Sequence, residues 1–110
     1  MIRVKVLESR GTTVGYTVEG HAEFGPSGND IVCAGVSAIS QAALMVLQES
    51  LGPRVRSERR EGFLSVLLAE QDALQPGPAW ALRTVVLGVE SIAKVHPRSV
   101  EVSYTEAENR

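Results

Sequence analysis

A single cysteine, Cys33, and one of only two histidines, His21, stand with eleven residues between them. Cysteine attacks carbon only as the thiolate, and an unperturbed thiol with a pKa of about 8.5 is ionised to a few per cent at neutral pH. A histidine within hydrogen-bond reach removes that proton and remains as imidazolium, so the pair has the composition of an activated thiol. The segment between them, Ala22-Glu23-Phe24-Gly25-Pro26-Ser27-Gly28-Asn29, holds two glycines and a proline. Such a segment resists regular structure and lets the chain turn back, so the imidazole and the thiol can meet.

Asp30 follows that segment and is a favoured N-cap type, which predicts a helix whose first turn carries Ile31, Val32 and Cys33. The first turn bears roughly half a positive charge from free N–H groups. That charge favours a thiolate, and the same groups are candidate donors to the oxyanion of an acyl-transfer intermediate. Asp30 itself admits three roles: a carboxylate facing the thiol opposes ionisation, one bound to backbone N–H groups is neutral in the matter, and one bound to His21 orients the base. Ser37, one turn beyond Cys33, is placed to hydrogen-bond the sulfur or a substrate group, or else is a small polar residue on a packed face.

Plainer roles exist for the same residues. A lone cysteine in an apolar helix also serves as a small buried hydrophobe, and a histidine after a strand as a packing residue. The glycine-bearing segment lacks both a Walker lysine and dinucleotide-type glycine spacing, so it resembles a phosphate cradle only weakly. His96, directly before Pro97, reads as a cation at a helix C-terminus.

Composition narrows the classes further. The 110 residues suffice for one domain, 1–110, with a single core. An apolar content of 44% with 22% charged residues is that of a globular protein. No uninterrupted apolar run reaches the roughly 18 residues of a membrane span, and the N-terminus alternates like a strand rather than a signal peptide. No membrane partner and a cytoplasmic location are therefore expected. A net charge of −2 gives no electrostatic reason to bind nucleic acid. The basic cluster Arg54, Arg56, Arg59 and Arg60 is interrupted by Glu58 and Glu61 and reads as solvated hairpin charges. One cysteine forms no internal disulfide, and the Cys/His pairs of a structural zinc site are missing, so neither metal nor cofactor is expected.

Positioning these groups requires a scaffold, and the pattern predicts one. Ile2, Val4 and Val6 alternate with charged residues, and after Arg10-Gly11 so do Val14, Tyr16 and Val18 with polar ones, giving a hairpin. Gly20 then permits a bend. A helix runs from Asp30 to the Gly52-Pro53 stop, with Val32, Val36, Ile39, Ala43 and Leu47 as its apolar stripe. The small residues Ala34, Gly35, Ala38 and Ala42 predict close approach by a neighbour. Arg54 to Glu58 and Phe63 to Ala69 read as a second hairpin, its apolar second strand central in the sheet. Pro76-Gly77-Pro78 opens a second helix that ends at His96-Pro97, and Val100, Val102 and Tyr104 mark a last strand. The order is β-β-α-β-β-α-β: an α+β fold, a mostly antiparallel sheet covered by two helices.

The sequence Gly20-His21-Ala22, eleven residues from His to Cys, and Asp30-Ile31-Val32-Cys33-Ala34-Gly35-Val36-Ser37-Ala38 resembles the ribosomal-processing cysteine protease family, Prp, of Firmicutes and related bacteria. The likeness spans nearly the whole chain, including the turn Glu61-Gly62-Phe63-Leu64 and a last helix that ends before a proline; Val95-His96-Pro97 stands where the family has Tyr-Pro. The resemblance implies Cys33 as nucleophile, His21 as base and then acid, and Asp30 and Ser37 as residues lining the site. It further implies a homodimer that removes a short N-terminal extension from a large-subunit ribosomal-protein precursor, with Ala22–Asn29 as a flap that orders on the peptide. A substrate strand would be held by main-chain bonds at a sheet edge. Two other readings remain: a non-catalytic ribosome-assembly module in which Cys33 is buried, and hydrolysis of a small thioester or amide by the same pair.

Overall fold

Alternation along the first strand decides which face of the sheet is interior. In the computed structural model, which describes residues 1–20 and 27–107 and only the helix backbone over 27–30, Ile2, Val4 and Val6 are buried while Arg3 and Lys5 lie in water. The elements are β1 (Ile2–Ser9), β2 (Thr12–Glu19), α1 (Ser27–Leu51), a 3-10 turn (Gly52–Arg54), β3 (Arg56–Arg60), β4 (Phe63–Leu67), α2 (Glu70–Ala73), α3 (Pro76–Val95) and β5 (Val100–Glu106). The sheet order is β3-β4-β2-β1-β5. All pairs are antiparallel except β1 with β5, which run parallel because α3 carries the chain across before β5 begins. The fold is therefore α+β with a mostly antiparallel sheet, as expected.

Helices α1 and α3 pack against each other over one sheet face. The core between the layers is built from Val4, Val14, Tyr16, Leu64, Val66 and Val100 of the strands with Val32, Val36, Leu47, Leu82, Val85 and Val89 of the helices. One glycine eases the approach of the helices: a Cβ on Gly88 would stand 2.6 Å from Cδ1 of Ile39, whereas one on Gly35 would make an ordinary contact, 3.4 Å from Cδ1 of Ile92. Of the small residues singled out on α1, Gly35 thus meets the neighbouring helix, whereas Ala34, Ala38 and Ala42 are exposed.

Four expectations are corrected. Helix α1 starts at Ser27, three residues before the expected N-cap, so Asp30 is inside the helix and Cys33 lies in its second turn. Ser, Asn and Asp are tolerated in a first turn, where backbone N–H groups need no intrahelical partner and an acid is favoured by the dipole. Strand β4 is flanked on both sides, but the middle strand is β2. Strand β3 begins at Arg56, because Gly52-Pro53-Arg54 forms a 3-10 turn after a Gly52 φ of 59°. That turn lets Arg54 grip Asp72 on the short, unexpected helix α2. Asp72 is buried, so Arg54 is not merely a solvated charge.

Tyr16 is the largest fully buried side chain. Its hydroxyl donates to the Ser40 carbonyl at 2.6 Å, and the buried Ser40 hydroxyl donates to the Val36 carbonyl at 2.8 Å. Burial pushes the phenol well above its ordinary value near 10, so the fold holds it neutral. The stability from that neutral form is complete below pH 10 and is lost as the pH rises beyond it. Replacing Tyr16 by Phe removes the bond while keeping the ring. We expect a loss of about 1 kcal/mol, seen in urea as a lower midpoint at unchanged slope; an unchanged midpoint would show that the bond adds nothing net.

Candidate active site

Strand β2 and helix α1 meet at one end of the sheet, and there Cys33 is found. Its side chain is half-buried, packed on one side against the core and open on the other to a cleft of about 130 Å³. Cys33, Ser37, Ser40 and Gln41 of α1 form one wall. Val18 and Gly20, Arg59 and Arg60, Gly62, Phe63 and Leu64 supply the rest, from the ends of β2, β3 and β4. The volume is below the range for enclosed small-molecule pockets. Three larger cavities lie elsewhere, one of about 690 Å³ beside Arg54 and Asp72, one of about 490 Å³ between α1 and α3 and one of about 230 Å³ beside Ala73 and Arg83, and none is lined by Cys33.

The expected site is assembled in part. Cys33 and Ser37 line the same cleft, one helical turn apart. His21 and the flap residues Ala22, Glu23, Phe24, Gly25 and Pro26 lie outside the described residues, as does the side chain of Asp30. Ser27, Gly28 and Asn29, expected in the flap, are helical backbone instead. The N–H groups of α1 without an intrahelical partner therefore lie at its start, in Ser27–Asn29, rather than in the turn that bears Cys33.

Sequence reasoning missed Arg59. It is exposed, as a solvated hairpin charge would be, yet its Nη2 donates to Oε1 of Gln41 at 2.9 Å and it lines the thiol cleft. The usable signal was parity. Arg59 pairs with the buried Leu64 and so shares the helix-facing side, whereas Arg60 pairs with Phe63, stacks 4.1 Å above its ring and contacts Glu58.

The geometry that delivers the chain to His21 is built at Gly20. Its φ of 95° is one that residues with a Cβ rarely adopt, and its N–H donates to the Gly62 carbonyl at 2.9 Å. A Cβ there would stand 2.5 Å from the Met1 carbonyl oxygen, a backbone atom unable to yield. Gly11 has a similar φ of 83° but open space around it. Gly20→Ala is therefore expected to cost about 2 kcal/mol or more of unfolding free energy, and Gly11→Ala about 1 kcal/mol. Equal urea midpoints for the two variants would remove the close approach as a constraint.

Similarity to known proteins agrees with this geometry. The S. aureus ribosomal processing protease Prp in complex with a substrate peptide superposes with a TM-score of 0.81 at 20% identity, over 96% of this chain and 100% of that one. The same protease with a covalently linked product peptide gives 0.79 at 23% identity, with coverage of 96% and 100%. SMU.848 from Streptococcus mutans gives 0.76 at 21% identity, over 97% and 96% of the two chains. These likenesses show the fold. No curated protein matches the sequence significantly. Residues 1–101 match the family described as Cysteine protease Prp, and a match over nearly the whole chain places this protein in that family and makes it a cysteine protease.

Proposed function

We propose that this protein is an endopeptidase in which Cys33 is the nucleophile and His21 the base, and that it removes the N-terminal extension of a large-subunit ribosomal-protein precursor in the cytoplasm. The observation that carries the reading is the half-buried Cys33 side chain opening onto a narrow cleft at the end of β2, directly after which His21 follows in the chain. A structural cysteine of a binding module has no need of such an opening. The S. aureus proteins of the same fold, described as a ribosomal processing protease with substrate or product peptide, support the substrate class.

In this mechanism His21 takes the thiol proton as sulfur attacks the carbonyl carbon of the scissile peptide. The tetrahedral intermediate collapses by breaking the C–N bond, and the imidazolium returns the proton to the leaving amine. Water then attacks the thioester with His21 as base, releasing the new carboxylate and the thiol. Ser37 supplies a hydroxyl one turn from the sulfur, suited to bond the oxyanion or a substrate carbonyl. Asp30, three residues before Cys33, is proposed to line the site or to orient His21.

Incubation with precursor peptides that span the extension tests this. Cys33→Ala is expected to abolish cleavage, and His21→Ala to lower kcat/KM by roughly 100-fold or more and to slow alkylation of Cys33 by iodoacetamide at neutral pH. Cleavage that survives Cys33→Ala would sink the mechanism.

The pairing of two copies is proposed on a separate observation. Residues 31–54 are apolar enough, by length and composition alone, to cross a bilayer, yet only one side of this helix is used by the core. Ile31, Met45 and Val46 of α1 and Trp80 and Leu87 of α3 are exposed, and Trp80 and Val46 border the apolar groove between the helices. Exposed apolar side chains on facing helices are what a self-complementary partner would cover. Light scattering should report a dimer for the native protein and a monomer for Trp80→Glu; a native monomer, or a dimer untouched by the substitution, counts against this face.

A further inference from the structure

We infer that Arg59 is a substrate-binding residue, one that hydrogen-bonds an acceptor oxygen of the peptide about three or four residues from the scissile bond. This rests on the reading of Cys33 as the nucleophile. Of the four clustered arginines, Arg54 is held by Asp72, and Arg60 is held by Glu58 over the Phe63 ring. Arg59 and Arg60 both border the cleft of Cys33, but of the two only Arg59 is directed by strand parity to the helix side. No carboxylate lines that cleft among the described residues, so the side chain meets no competing anion there.

Distance sets the position in the peptide. Arg59 is fixed at one point along α1 by its bond to Gln41, eight residues after Cys33. At 1.5 Å per helical residue these positions are about 12 Å apart along the helix axis. An extended peptide rises about 3.3 Å per residue, so one laid along α1 from the thiol reaches the guanidinium with its third or fourth residue. A guanidinium carries five N–H donors, and Gln41 accepts from only one nitrogen. The remaining fork suits a carboxylate side chain or a main-chain carbonyl of the substrate.

The alternative role is a tether between β3 and α1. Tether and binding residue differ in how they respond to substrate length. Precursor peptides ending two or five residues from the scissile bond, on each side in turn, are to be compared with wild type, Arg59→Ala and Arg59→Lys. For wild type, extension on one side should raise kcat/KM about tenfold or more, mainly through KM. In Arg59→Ala that gain should vanish while the short peptide is cleaved as by wild type, and Arg59→Lys should restore part of it. Replacing any acidic side chain at the third or fourth position by its amide separates the two acceptors. Loss of the gain identifies a carboxylate, and its retention a main-chain carbonyl. The inference fails if Arg59→Ala lowers the short and long peptides equally, or changes neither, or if wild type cleaves both lengths alike. Failure of the cysteine-protease mechanism would show differently, as short-peptide cleavage that survives Cys33→Ala.

Discussion

A single buried hydroxyl fixes how the cysteine-bearing helix lies on the sheet. Apolar contacts between α1 and the strands are non-directional and accommodate small displacements better than a hydrogen bond does. The bond from Tyr16 to the Ser40 carbonyl has no such tolerance, because a displaced α1 would leave the phenol buried without a partner. Ser40 lies two turns after Cys33, and Tyr16 lies on the central strand two residues before Val18, which lines the cleft. Fixing one contact therefore sets the thiol against the end of β2.

The opposite wall depends on backbone rather than side chains. Gly20 and Gly62, both at positive φ, join the exit of β2 to the β3–β4 turn through one main-chain bond, while the Met1 carbonyl closes the space beside Gly20. These contacts bring the first residue of the chain, the end of β2 and the second hairpin to one place. The site is thus assembled from segments far apart in sequence, and the sheet is what makes them neighbours.

Much of this was legible in the residues and some was not. Period-two alternation marked β1 and β2, the Gly-Pro stop marked the end of α1, and the proline after His96 marked the end of α3. These signals are local and steric, and tertiary contacts had no reason to override them. The start of α1 was misplaced because Asp30 and Ser27 are both competent near a helix N-terminus, and propensity does not choose between them. Helix α2 was invisible because it is one turn long and is tied to the rest by a pair, Arg54 with Asp72, that connects residues 18 apart. The parallel pairing of β5 with β1 follows from a crossover, which periodicity within a strand does not encode.

The arginine cluster shows how one composition is divided by geometry. Four like charges within seven residues read as a solvated patch, and for strand residues such as Arg60 that reading is close to the truth, since its contact with Glu58 is exposed and worth little. Arg54 escapes it because the 3-10 turn aims it at a buried carboxylate, where losing the guanidinium would strand a charge. Arg59 is exposed as well, but one step of strand parity puts it on the helix side of the sheet, where it meets Gln41. Charge alone predicts none of this. The register of β3 on β4, itself set by which residues of β4 must be buried, decides which arginine lies on the helix side of the sheet and which on the other.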